Sequence, residues 1–170
     1  MTDNFSKDTK AILQYLETLV KIPSPTGYTG KAKDWLVKNA EDKGITCDVT
    51  RKGAVLYKFE FDGAKTSRML AAHVDTLGAI VKKVEKTKVH FDILGGYPPE
   101  YIVGNYCTIH TFDGGEISGT IMPSNPAVHV NKDLKEKKFK FDDLVVRVDL
   151  KLKDQDLSLI HISEPTRLRR

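Results

Sequence analysis

The hydrophobic pattern of this chain changes period at Gly78, and one kind of secondary structure cannot serve both sides of that point. Before it, "DTKAILQYLETLVKI" spaces Ile12, Leu13, Leu16, Leu19 and Val20 three and four residues apart, which predicts an amphipathic helix ended by Pro23. "PSPTGYTG" reads as a loop. "GKAKDWLVKNAEDKG" then predicts a second helix, with Thr29 as N-cap, Ala32, Trp35, Leu36 and Ala40 on its apolar face and Gly44 closing it. Tyr15 and Trp35 fall at core spacing on these two helices. Three strand-like runs follow, "TCDVTR", "AVLYKFEF" and "RMLAAHV", the last expected inside a sheet whose remaining strands and covering helices lie outside these residues, which would leave Leu70 exposed. Helix, helix, then strands is the beginning of an α/β layer.

After Gly78 the helical period is gone. "AIVKKVE", "KVHFDIL", "YCTIHTF", "EISGTIM" and "LVVRVDLKL" are short, alternating and separated by Gly, Pro and Asp. In the last of them Leu144, Val146, Val148, Leu150 and Leu152 share one face. Short strands at this spacing predict a small β-barrel or sandwich. Gly95-Gly96 reads as a turn between strands, since no strand-to-helix fingerprint surrounds it to make a phosphate cradle.

Charge and composition exclude several classes. The net charge of +4 falls to +2 without the last fourteen residues, which hold three arginines and one glutamate. Nucleic acid and anionic membranes are therefore not expected as partners. Hydrophobic residues make up 40% of the chain, yet no apolar run approaches a membrane span, and "MTDNFSKDTK" is too polar for a signal peptide. Cys47 and Cys107 are far apart with no CxxC, and read as free thiols in a reducing, cytoplasmic setting. No Ser or Cys has a convincing histidine partner for covalent catalysis.

The residues that point to chemistry lie at the change of period, in "MLAAHVDTLGAIV". In an extended segment His73 and Asp75, two apart, project to the same side. An imidazole binds a metal well when its second ring nitrogen donates to a carboxylate, which fixes tautomer and direction. The H-x-D spacing suits that arrangement, although many such tripeptides are only a surface histidine near a surface aspartate. His90 and His110 alternate with apolar residues and read as strand-surface positions.

"IPSPTGYTG", "MLAAHVDTLGAIV", "LGGYPPEYIVGNYCTIHT" and "GTIMPSNPAVHV" follow one another in an order and spacing that resembles the dinuclear metallo-aminopeptidases of peptidase family M forty-two. The resemblance covers about residues 8 to 156, and the family's usual H-M-D-E-I-G stands here as His73-Val74-Asp75-Thr76-Leu77-Gly78, a subfamily variant. It implies an α/β fold: part of a mixed-sheet metallopeptidase catalytic domain over residues 1–78, interrupted by a PDZ-like all-β insert over 79–156 that serves oligomer assembly. It implies that His73 is a metal ligand and Asp75 the catalytic-site carboxylate that orients it. Two divalent metal ions, zinc or cobalt, a peptide substrate and a homo-oligomer follow from the same resemblance. His129 in "NPAVHVN" matches a family position to which no chemistry is assigned.

The remaining family ligands and the catalytic glutamate would follow the insert, and none is expected in this chain. The last stretch, "LSLIHISEPTRLRR", shows no clear strand alternation or helical face. It resembles the conceptual translation of a transposase-type sequencing adapter, so residues 157–170, His161 among them, are expected to be foreign or disordered. Two alternatives stay open beside a peptidase: a non-catalytic fragment acting only as an α/β plus β association module, and a related metallopeptidase with the same H-x-D opening.

Overall fold

The computed structural model describes residues 2–130, 136, 138–149 and 159–163. The chain divides into two compact units, Met1–Thr76 and Leu77–Arg170, and is mixed α/β with antiparallel sheets. No described helix is long and apolar enough to cross a membrane.

The first unit holds α1 (Thr2–Val20), α2 (Gly30–Asp42) and the antiparallel pair β1 (Thr46–Val49) and β2 (Val55–Lys58). Helix α1 stops three residues before Pro23, and the Ile22 N–H turns back to the Leu19 carbonyl at 3.0 Å. Thr29 stands at the N-cap of α2, but its side chain makes no capping hydrogen bond. The other end follows the sequence closely. Gly44 takes φ +65°, its N–H reaches the Glu41 carbonyl and the Ile45 N–H reaches the Ala40 carbonyl at 2.8 Å, a Schellman closure that needs the left-handed residue glycine supplies. Ala32 and Ala40 are fully buried, and Trp35 meets Tyr15 edge-on with ring centroids 4.8 Å apart. The Tyr57 hydroxyl on β2 donates to the Leu36 carbonyl of α2 at 2.7 Å. Burial first, and then the Tyr15 hydroxyl, push the Tyr57 phenol well above its ordinary pKa. Ile12, Leu13 and Leu16, the expected inner face of α1, stay mostly exposed.

One expected strand is missing. "RMLAAHV" forms no ladder, and Leu70 is 100% exposed. A strand is made by its neighbours, and β1 and β2 pair only with each other. The segment's one sheet-like contact comes just after it, a parallel bridge between Thr76 and Pro25.

The second unit is a closed, six-stranded barrel, ordered β3-β4-β7-β6-β5-β8. Its strands are β3 (Gly78–Glu85), β4 (Lys88–Leu94), β5 (Tyr106–Thr111), β6 (Glu116–Pro123), β7 (Leu144–Val148) and β8 (Leu159–Ser163). Alternation puts Val89 and Phe91 of β4, Cys107 and Ile109 of β5, Ile117 and Ile121 of β6 and Leu144, Val146 and Val148 of β7 into one core. Complete burial of a side chain such as Ile109 or Val146 is worth roughly 1.5–3 kcal/mol. Leu150 and Leu152, expected on the same face of β7, lie outside the described residues. Gly119 sits on the inner face of β6, where a Cβ would overlap Val146 Cγ1 and stand 3.1 Å from the Arg147 carbonyl oxygen.

Residues 159–163, within the stretch expected to be foreign or disordered, form β8; the rest of 157–170 lies outside the described residues. β8 pairs antiparallel with β3 from Gly78↔Ser163 to Ile80↔His161, and with β5 from Thr108↔Ser163 to Thr111↔Leu159. The physical reason is the pair of open edges on β3 and β5. "LIHIS" alternates over just enough residues to fill the gap, though too few to announce a strand from sequence.

Two outcomes test this barrel. Ile162→Pro deletes a ladder N–H from a strand bonded on both sides, and is expected to cost about 1–3 kcal/mol and to speed amide exchange in both β3 and β5. Exchange rates in β3 and β5 equal to the parent's would refute closure by β8. Gly119→Ala is expected to cost about 1–3 kcal/mol by overpacking, read as a lowered denaturant midpoint with unchanged slope.

Candidate functional site

The His73–Asp75 segment is fixed from one side by the loop after α1. Ser24 stands between Pro23 and Pro25, and the following proline keeps it out of helical conformation, so the loop runs extended there. An extended loop can lie along another extended segment. Ser24 Oγ donates to the Val74 carbonyl at 2.7 Å, and the Thr76 N–H donates to the Ser24 carbonyl at 3.0 Å. The Ser24 N–H points to Thr76 Oγ1 at 3.4 Å. Ser24 is fully buried, whereas residues 67–73 are exposed throughout. The chain is therefore held at 74–76 and released before it.

His73 and Asp75 point to the same side, as their spacing predicts. Nδ1 of His73 lies 3.3 Å from Asp75 Oδ1 and 3.3 Å from the Asp75 carbonyl oxygen. An Nδ1–H can be shared between these two acceptors, which leaves Nε2 as the ring's available lone pair. The His73 side chain is 86% exposed and that of Asp75 48%. These contacts fit one metal ligand with its orienting carboxylate. Among the described residues no group of three or more His, Cys, Asp or Glu side chains is placed to hold an ion.

The other histidines belong to the second unit. His90 on β4 is half-buried, with Nε2 3.4 Å from Glu85 Oε2. Lys83 first, and then His90, hold the Glu85 carboxyl below its usual range. His110 on β5 is only 2% exposed, with Nδ1 3.4 Å from Glu116 Oε1, so it is not the surface position its spacing predicts. Alternation assigns a side of the sheet, and at His110 that side is covered. His129 is exposed, and His161 lies in β8 opposite His110 and Ile80. Cys47 and Cys107 are both free, the second buried. Ser24 was not singled out by sequence; its signal was a polar residue locked between two prolines ahead of Thr26-Gly27.

The α/β unit followed by a β-barrel defines a fold shared with solved aminopeptidases. The TET aminopeptidase of the marine sediment archaeon Thaumarchaeota archaeon SCGC AB-539-E09 superposes with a TM-score of 0.75 at 18% identity, over 93% of this chain and 45% of that one. The TET1 peptidase of Pyrococcus horikoshii, which can assemble into a tetrahedron or a large octahedral shell, gives 0.70 at 19% identity, over 88% and 45%. A Thermotoga maritima protein described as an endoglucanase gives 0.66 at 21% identity, over 89% and 44%. In sequence, the chain is 32% identical over 138 residues to "Putative aminopeptidase YhfE" of Bacillus subtilis, covering 81% of this chain and 40% of that protein. The model of the M42 glutamyl aminopeptidase family matches residues 53–169. The chain belongs to that family, and spans less than half the length of these relatives.

The exposed apolar residues before the site carry a prediction. Leu70→Ser should leave the melting transition within about 0.5 kcal/mol of the parent, because a fully exposed side chain loses no burial. It should also reduce aggregation on concentration, measured by light scattering. A clear drop in stability would mean that Leu70 is packed in solution.

Proposed function

We propose that this chain is the N-terminal part of a metal-dependent aminopeptidase that removes N-terminal residues from peptides. The observation that carries the reading is the His73 Nδ1–Asp75 Oδ1 contact of 3.3 Å in a chain of the M42 glutamyl aminopeptidase family. In this reading His73 binds one of two divalent metals, zinc or cobalt, through Nε2. Asp75 holds the ring's other nitrogen and so sets its tautomer and direction. Bound metals of this kind acidify a water and polarise the scissile carbonyl. What these residues themselves do is hold one imidazole in place.

The barrel, in the same proposal, is a PDZ-like insert for assembly into a homo-oligomer in the cytoplasm. Support comes from its position directly after the H-x-D segment and from the assembling TET1 relative. The 170 residues alone we propose to be catalytically silent. The chain covers 40% of YhfE, and one imidazole with one carboxylate falls short of the three or four protein ligands of a tight site.

The test is hydrolysis of amino-acid anilides with added zinc or cobalt, alongside metal counting by mass spectrometry. The 170-residue chain is expected to show no turnover. In a chain completed with its native downstream sequence, His73→Ala should remove one metal and nearly all activity. Asp75→Asn should lower affinity or rate by roughly 10- to 100-fold. Full activity of the His73→Ala protein would sink the assignment of His73, and turnover by the 170-residue chain would sink the claim that it is silent.

A further inference from the structure

The geometry points to Ser24 as a positioning residue for the His73–Asp75 pair, acting through the backbone on either side of Asp75. This rests on the reading of His73 as a ligand, but it concerns a residue that touches neither the imidazole nor Asp75's carboxylate. Three contacts tie Ser24 to Val74 and Thr76, and two of them fall on the backbone atoms that set the peptide planes on either side of Asp75. The Ser24 hydroxyl holds the Val74 carbonyl at 2.7 Å, and so the orientation of the peptide plane that leads into Asp75. The Ser24 carbonyl accepts the Thr76 N–H at 3.0 Å, fixing the plane that leaves Asp75. Thr76 Oγ1 faces the Ser24 N–H at 3.4 Å, a third and longer contact between the same two residues.

These bonds matter more here than in an ordinary sheet. Residues 68–75 have no ladder partner among the described residues, and the side chains on the N-terminal side of His73 are exposed. Among the described residues these contacts and the bridge between Pro25 and Thr76 are what hold the backbone torsions of Asp75. A rotation there would carry Nδ1 of His73 away from Asp75 Oδ1, since the two side chains share a side only while the segment stays extended. Ser24 is fully buried, so its hydroxyl does not compete with water for the Val74 carbonyl. Its neighbours Pro23 and Pro25 offer no N–H, which leaves the Ser24 N–H and hydroxyl as the donors of that tripeptide.

The experiment uses the 170-residue chain with cobalt ion as the probe. The state of the His73 ring is read from its nitrogen-15 correlations, and cobalt affinity from paramagnetic broadening of the same signals. In the parent, the His73 ring should hold one tautomer with the proton on Nδ1. Ser24→Ala should average the two tautomers and weaken cobalt binding about three- to tenfold, less than the loss usual for a direct partner of a ligand. Ser24→Thr keeps a hydroxyl and should restore both readings; Thr76→Val, which removes only the longest contact, should have the smaller effect. Near-ultraviolet circular dichroism from Trp35 and Tyr15 checks that each variant is folded. A folded Ser24→Ala chain with parent tautomer and parent cobalt affinity overturns the inference, even if its melting temperature has dropped. The metal reading is judged separately. If His73→Ala binds cobalt as tightly as the parent, both measured by broadening of the backbone amide signals of residues 74–76, the ligand assignment falls, while the tautomer in Ser24→Ala still decides whether Ser24 sets the ring.

Discussion

An extended backbone cannot leave its N–H and C=O groups unpaired beside a dry core, and this requirement decides the shape of the second unit. Strands β3 and β5 do not pair with each other; β8 pairs with both. Without it, two open edges would flank Ala79 and Ile109, which are 4% and 0% exposed. The apolar faces of β4, β6 and β7 would then line an open trough rather than a closed core. A backbone ladder reads extended conformation and side-chain alternation, not ancestry. That is why "LIHIS", a run too short to announce a strand from sequence, fits the seam between β3 and β5.

The first unit meets the same requirement differently. Its strand pair satisfies its inner edges and the helices satisfy themselves, but the segment leading to His73 has no ladder partner among the described residues. It is pinned only at its end, by Ser24 and Thr76 and the bridge to Pro25. The pinned part is also the part that carries His73 and Asp75. Order at the site therefore comes from a few long-range hydrogen bonds rather than from a surrounding sheet, and those bonds span about fifty residues of sequence.

What the sequence disclosed follows from how local each feature is. Strands β3 to β7 were legible because alternation over five to eight residues is a property of the segment itself. The closure of α2 was legible because Gly44 performs its task within one turn. The strand expected at "RMLAAHV" was not formed, because apolar composition marks a segment as able to pair but does not supply a partner. The burial of His110 was missed for a related reason: periodicity gives a direction, and only tertiary structure covers it. At the candidate site, the contact between His73 and Asp75 was legible from their i, i+2 spacing. Ser24 was not, since its partners lie fifty residues away.

On the proposed reading of His73 as a ligand, the contrast between Leu70 and His73, three residues apart, bears on how such a side chain can be prepared for an ion. Leu70 is wholly exposed and makes no use of its apolar side chain, while His73 already has one ring nitrogen against a carboxylate. A tautomer fixed in advance lowers the ordering cost of coordination, because the lone pair on Nε2 is present before the ion binds. The exposure of the ring then takes on a meaning different from that of Leu70. An apolar side chain in water awaits burial, but an imidazole held on one nitrogen needs its other nitrogen uncovered in order to bind. On the proposed reading, the same short segment is unfinished as a strand and finished as a ligand, because the first depends on neighbouring strands and the second only on Asp75 and the hydrogen bonds that hold it.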